Sequence, residues 1–412
     1  MSVHTPIKDS EIIDGLNIWY LKLFGLWKVI NDYRTTGKKN SIINLQLTIT
    51  LAYSIPYILC QLMSCYFIKM DLKKITFIFL LTLSKIQICI KVLVVWFFLR
   101  IQCRLSNLMK KDFIDLPEHK KSEAKQIFKK IAFQTNLLSV AAFIINTSYY
   151  IVSIGFPDTP VDYILHHTGN TFRATTGRMK IVGGWYPIPF DKTPYFEIIF
   201  FYEASMMMWV GTFLAVYVSL FYQTLMCLYA QFAVLGIKLT TLDSGDGKEK
   251  IWKSDSERYN ELLAIIKYHQ KLLRYADELR LVYNPLVTMI LGTGVFVLIL
   301  AAFQFLFGTT TSTIFIVKSL IFLPYQAIEV CMFCFASSYL ETASSDVLFA
   351  IYNSDWYKAD IKFRKSAQMM MIRAKKGETL KSVSIYPINV ETMMSIFQFT
   401  YTVSALMLKT TE

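Results

Sequence analysis

Long apolar runs constrain this chain before anything else does. Seven stretches, at about 41–66, 75–99, 132–155, 196–222, 282–307, 313–340 and 387–408, are each long enough to cross a bilayer as a helix. A hydrocarbon layer of roughly 30 Å needs about 20 residues at about 1.5 Å each. A soluble all-α protein does not need such runs repeatedly, and composition also argues against one. Charged residues make up 18% of the 412 and hydrophobic ones 54%, whereas a soluble domain carries about 25% charge. The expected fold is an all-α membrane protein with seven transmembrane helices.

Lysine and arginine set the expected orientation. Segments 1–40, 100–130, 223–281 and 341–386 hold 32 of them, and the alternate segments 67–74, 156–195, 308–312 and 409–412 hold eight. The richer side is cytoplasmic by the positive-inside rule, so the N-terminus is expected inside and the C-terminus outside. That orientation opposes a G-protein-coupled receptor, whose NPxxY signature is also missing: Asn284-Pro285 has no tyrosine at the required place. The first 15 residues are polar and lack an apolar signal region. The first span is therefore expected to act as its own insertion signal. Net charge +13 sits mostly in the cytoplasmic segments and suits anionic inner-leaflet lipid, not nucleic acid.

The domain reading follows. Residues 1–40 are a cytoplasmic segment, with an amphipathic pattern at 11–30 (Ile12, Ile13, Leu16, Trp19, Leu23, Trp27). Residues 41–222 hold spans one to four, and 282–340 hold spans five and six. Residues 223–281 and 341–386 form a cytoplasmic anchor, and 387–412 form the last helix and outer tail. Within the anchor, a polar break at 243–250 precedes a helical pattern, and 358–376 reads as an amphipathic helix. Leu262, Ile266, Leu273, Trp356 and Tyr357 are the candidate subunit contacts there.

No catalytic motif stands out: there is no HExxH, GxSxG or Walker loop. No enzyme activity and no cofactor are expected. His166-His167 is read as an exposed polar pair and Cys331-Met-Phe-Cys334 as helix packing, so no metal site is expected. The seven cysteines lie in or near apolar segments, which argues against a disulfide framework. Asn146-Thr147-Ser148 falls inside the third span and is not expected to be glycosylated.

Ionisable residues inside spans are costly and each needs a reason. Lys85 and Lys91 lie in the second span, Glu203 in the fourth, Lys318 and Glu329 in the sixth. Either they line a cavity or they pair internally. The outer halves of several spans are rich in aromatic residues and methionine: Phe77 and Leu81; Phe143, Asn146, Tyr149 and Tyr150; Phe200, Glu203 and Met207; Phe315. Such walls with one or two polar anchors suit a small apolar molecule; helix packing plus an interfacial aromatic belt is the competing reading. In the last span Ile396, Thr400, Ser404 and Leu408 recur every four residues. Two hydroxyls between apolar ends suit a water-lined path closed by dewetting near Leu408. The alternative is packing against the fifth or sixth span.

The ends of the chain carry a resemblance. They read Leu23-Phe24-Gly25-Leu26-Trp27 and, later, Tyr352-Asn353-Ser354-Asp355-Trp356-Tyr357, Phe363-Arg364-Lys365, Tyr386-Pro387-Ile388-Asn389, Thr400-Tyr401 and Leu406-Met407-Leu408-Lys409. This order resembles the insect odorant receptors. The resemblance implies a ligand-tuning subunit of an odour-gated, tetrameric cation channel in the plasma membrane of a sensory dendrite. Its implied partners are a shared co-receptor, a small volatile ligand and membrane lipid. It places the odorant pocket within 41–222, the pore along the last helix, and gate positions at Ser404 and Leu408, where serine departs from the co-receptor's bulky aliphatic residue. A gustatory-type channel shares the Thr-Tyr step and the topology. A transporter would show inverted repeats or broken helices, and neither is seen.

Overall fold

The computed structural model describes residues 41–67, 72–105, 116–157, 159–160, 178–182, 185–242, 255–308, 313–383 and 386–409, with scattered positions between 22 and 33. The amphipathic pattern at 11–30, the break at 243–250 and His166-His167 fall largely or wholly outside this set. The chain is helical: α1 Ser41–Phe67, α2 Leu72–Phe97, α3 Leu99–Leu105, α4 Glu118–Gly155, α5 Tyr195–Thr240, α6 Asp255–Gly308, α7 Thr313–Tyr352, α8 Ile361–Ala374 and α9 Val390–Lys409. Two short antiparallel pairs complete it, β1 Thr159–Pro160 with β2 Met179–Lys180, and β3 Lys381–Ser382 with β4 Tyr386–Pro387.

Among the described residues, α1, α2, α4, α5, α6 and α7 contain stretches long and apolar enough to cross a membrane. The seventh span, α9, has 20 residues, enough for about 30 Å. It is more polar, with a glutamate, a glutamine and several hydroxyls. The expected boundaries need correction at both ends of the anchor. The last helix begins at Val390 and not at 387, because Tyr386–Pro387 is committed to the β3–β4 hairpin. Asn389 then caps α9, its side-chain oxygen accepting from Thr392 N–H at 3.0 Å. The amphipathic segment expected over 358–376 forms a helix only over Ile361–Ala374, after a tight turn at Trp356–Lys358.

Helices α5, α6 and α7 run to 46, 54 and 40 residues. All three exceed the roughly 20 residues that a bilayer needs. The surplus falls in the segments expected to form the anchor. α5 is the central post of the bundle: Phe213, Leu214, Val216, Tyr217, Leu220, Phe221 and Leu225 are all buried in the main core. In the anchor, α6 buries a spine of Leu262, Ile265, His269, Leu272, Ala276 and Leu279 at helical spacing. Leu262 is 0% exposed in the single chain, so its listing among subunit contacts is corrected: it is core. Ile266, Leu273 and Trp356 are partly buried against that same core, and Tyr357 is exposed.

The segment leading into α9 is pinned by buried polar contacts. Ser344 Oγ accepts from Glu378 N–H at 2.7 Å, Ser337 Oγ from Leu380 N–H at 3.0 Å, and Asn284 Oδ1 from Lys381 N–H at 3.0 Å. Glu378 pairs with Arg373 at 2.6 Å and with Arg280. This ties α6, α7 and α8 to the base of the last helix.

His269 sits within the same anchor, edge-on to Phe232 at 6.2 Å. Burial, and then the charge of Arg373, pull its pKa down to about 4, from about 6.5 in an unfolded chain. A group depressed on folding lends stability above its unfolded pKa and withdraws it as pH falls towards the folded value. Anchor stability is therefore expected to hold above about pH 6.5 and to drain as pH drops towards about 4. Thermal unfolding of the detergent-solubilised protein across that window checks this. His269→Gln should flatten the profile, and an unchanged slope would assign the acid sensitivity to other groups.

Candidate ligand-binding site and conduction face

Five helices meet at a polar and aromatic junction inside the bundle. From α2 comes Lys85, 0% exposed. Its Nζ lies 5.2 Å from the Tyr150 ring centre on α4 and 6.0 Å from that of Tyr57 on α1, both within cation–π range. Tyr150 meets Tyr149 edge-on at 5.2 Å, and Tyr149 meets Phe322 of α7 at 5.0 Å. Asn146, one turn earlier on α4, donates to the Gly211 carbonyl of α5. Gly211 permits that approach, since a Cβ there would stand 2.2 Å from the Tyr150 ring.

The expected pocket residues divide accordingly. Lys85, Asn146, Tyr149 and Tyr150 are brought together, while Met207 and Leu81 lie in the surrounding core. Phe143 is partly buried on α4. Phe200 lies near the start of α5, its ring tilted against Phe196 at 6.1 Å. Phe77 and Phe315 lie on α2 and α7, with side chains outside the described set. Glu203 is corrected as a free polar anchor: it pairs with Lys180 of β2 at 3.3 Å and accepts from Tyr186 Oη at 2.9 Å. It serves to fasten the segment that carries Lys180 and Tyr186 onto α5. Trp185 N–H donates to Ser64 Oγ of α1 at 2.6 Å and fastens the same segment to α1.

The sequence reading missed Tyr57, Gly211, Phe322 and Tyr325. A single glycine amid the bulky run from Met206 to Phe213 was the available signal, because small residues let helices approach closely. Nothing in α1 singled out Tyr57, one of several aromatic residues in an apolar run.

The last helix shows two faces. Met393, Ile396, Thr400 and Ser404 face inward against α6 and α7, with Thr400 and Ser404 buried and Ile396 partly so. This corrects the water-facing reading of that stripe in the single chain; Leu408 is on the same helix, its side chain outside the described set. The exposed face carries Glu391, Ser395, Gln398, Thr402 and Lys409. At 3.6 residues per turn these fall within an arc of about 60°. A polar arc on a transmembrane helix is costly against lipid.

A bundle of such long apolar helices defines a polytopic all-α membrane protein. The sequence model of the 7tm odorant receptor family matches residues 71–401. The chain belongs to that family. It is similar to odorant receptor 85b of Drosophila melanogaster, 28% identical over 156 residues, which cover 38% of this chain and 39% of that receptor. Putative odorant receptor 69a, isoform B, of the same fly is 28% identical over 199 residues, 46% of this chain and 50% of the relative. The match thus spans at most half the length of these relatives. The fold resembles the insect olfactory receptor OR5 from Machilis hrabei at a TM-score of 0.72, with 16% identity and 88% of each chain covered. It resembles equally the structure of that receptor in complex with eugenol, at 17% identity.

Proposed function

We propose that this chain is the odorant-binding subunit of a heteromeric, odour-gated cation channel formed with a co-receptor in the plasma membrane. The observation that carries the reading is the buried junction of Lys85, Tyr57, Tyr149, Tyr150 and Phe322, where apolar walls meet a few polar groups. That is the make-up of a small-molecule site, and the Machilis receptor, which shares the fold, has been solved in complex with eugenol. The N-terminus is cytoplasmic on the lysine and arginine asymmetry. The exposed polar face of α9 lines the conduction path, and exposed apolar residues of the anchor, Tyr357, Ile361, Met369 and Ile372, meet neighbouring subunits.

Current recorded from cells co-expressing the chain with a co-receptor tests this. Odorants should evoke cation current that the co-receptor alone does not give. Cysteine at Gln398 or Thr402 should make that current sensitive to an external, water-soluble thiol reagent while odorant is present, and cysteine at Ser404 should not. Block at Ser404 with none at Thr402 would return the path to the stripe that the resemblance implies. Insensitivity on both faces, in conducting channels, would remove α9 from the path.

A further inference from the structure

The site contains a buried lysine without a counter-charge. Lys85 Nζ is buried and has no hydrogen-bond partner among the described residues. The other buried lysines of known partner differ: Lys91 pairs with Glu329 and Lys180 with Glu203. Those pairings each engage one carboxylate oxygen, Oε1 of Glu329 and Oε1 of Glu203. Two tyrosine faces remain for Lys85. Together they return less than a fully buried ammonium forfeits in hydration.

The neighbouring orphan atoms have the same character. The hydroxyls of Tyr57 on α1 and Tyr325 on α7 are buried without partners among the described residues. Lysine Nζ presents only donors when charged, and a phenol presents one. Neither apolar packing nor another donor satisfies a charged ammonium. A hydrogen-bond acceptor does, and none of the described residues bonds Lys85 Nζ.

The geometry points to Lys85 as the polar anchor of the ligand site, selecting small apolar molecules that bear a carbonyl or carboxylate oxygen. This deepens the odorant-site reading and rests on it. The ligand's oxygen accepts from Lys85 Nζ, its first carbons lie between the Tyr57 and Tyr150 rings, and its chain extends over Tyr149 and Phe322. A plain hydrocarbon leaves the amine as unsatisfied as it was. An alcohol offers an acceptor but brings a further donor into a donor-rich site.

The test is a dose series on the full chain co-expressed with a co-receptor, using heptanal, heptanoic acid, heptanol and heptane as probes. The wild type should respond to heptanal or heptanoic acid at lower concentration than to heptanol, and least to heptane. Lys85→Met keeps the length and removes the donors. It should raise the half-maximal concentration of the carbonyl ligands about tenfold to a hundredfold, the range of a hydrogen bond to a charged group, and leave heptane unchanged or improved. Lys85→Arg should retain part of the preference, and surface labelling of each variant controls for delivery. A wild type that prefers heptane or answers neither carbonyl probe, or a Lys85→Met channel that keeps the carbonyl preference or shifts all four probes equally, overturns the assignment. Substitution of Met207 separates the two readings. If it reorders ligands while Lys85→Met does not, the site stands and the anchor falls; if neither does, the site itself lies elsewhere.

Discussion

Replacing Lys91 alone by methionine is expected to abolish delivery of the receptor to the cell surface, and replacing Glu329 alone by leucine should do the same. The two side chains form an ion pair between α2 and α7, at 0% and 1% exposure. Removing one member strands the other as a bare charge inside the bundle, at about 3–5 kcal/mol. Total stability of a domain is only about 5–15 kcal/mol, so either single change consumes a large share of it. The double variant Lys91→Met/Glu329→Leu leaves no stranded charge. Well-packed apolar replacements of a buried pair are often neutral or better, so the double should recover most surface delivery. Surface biotinylation and size-exclusion thermal stability of all four proteins close the cycle. A double variant as poor as the sum of the singles would mean that each residue acts through separate contacts and that the pair is incidental.

The same pair shows where sequence reading stops. Lys85, Lys91, Glu203 and Glu329 all stood out as charges within apolar runs, and pairing or cavity-lining were the two explanations on offer. Hydropathy locates such residues but does not say who faces whom, because a partner lies more than a hundred residues away: Lys91 and Glu329 are separated by 238 positions. The outcome split. Lys91 and Glu203 proved to be paired, and Lys85 did not. The spans were legible because a bilayer imposes a length on each. The anchor's periodicity was legible too, but a buried spine and a subunit contact have the same spacing, which is why Leu262 was placed on the wrong side of the chain. The last helix was ambiguous for a related reason. A four-residue repeat drifts slowly around a helix and picks out a stripe, and hydroxyls on it suggested water, yet the stronger polar arc from Glu391 to Lys409 lies on the opposite side.

Gly211 offers the sharpest test of the junction itself, since two ordinary effects oppose each other there. Alanine in place of glycine inside a helix should stabilise α5 by about 0.5–1 kcal/mol through backbone entropy. Against that, the new methyl would stand 2.2 Å from Tyr150 Cε2 and 2.4 Å from Cδ2. The ring has little freedom to retreat, being 3% exposed and packed edge-on against Tyr149. Overpacking of this kind costs about 1–3 kcal/mol, so the clash wins. The displaced ring would pull away from Lys85, and α4 and α5 would part at the Asn146 contact. Gly211→Ala is therefore expected to raise the half-maximal odorant concentration about tenfold or more, as a net loss of about 1.4 kcal/mol implies, and Gly211→Val to abolish the response. Removing the obstacle should reverse the sign: in a Tyr150→Ala background, Gly211→Ala should be neutral or mildly stabilising. Current recordings with parallel surface labelling distinguish lost binding from lost delivery. A Gly211→Ala receptor as sensitive as the wild type would show that α4 and α5 do not meet at this glycine, and the junction described at Lys85 would lose its wall.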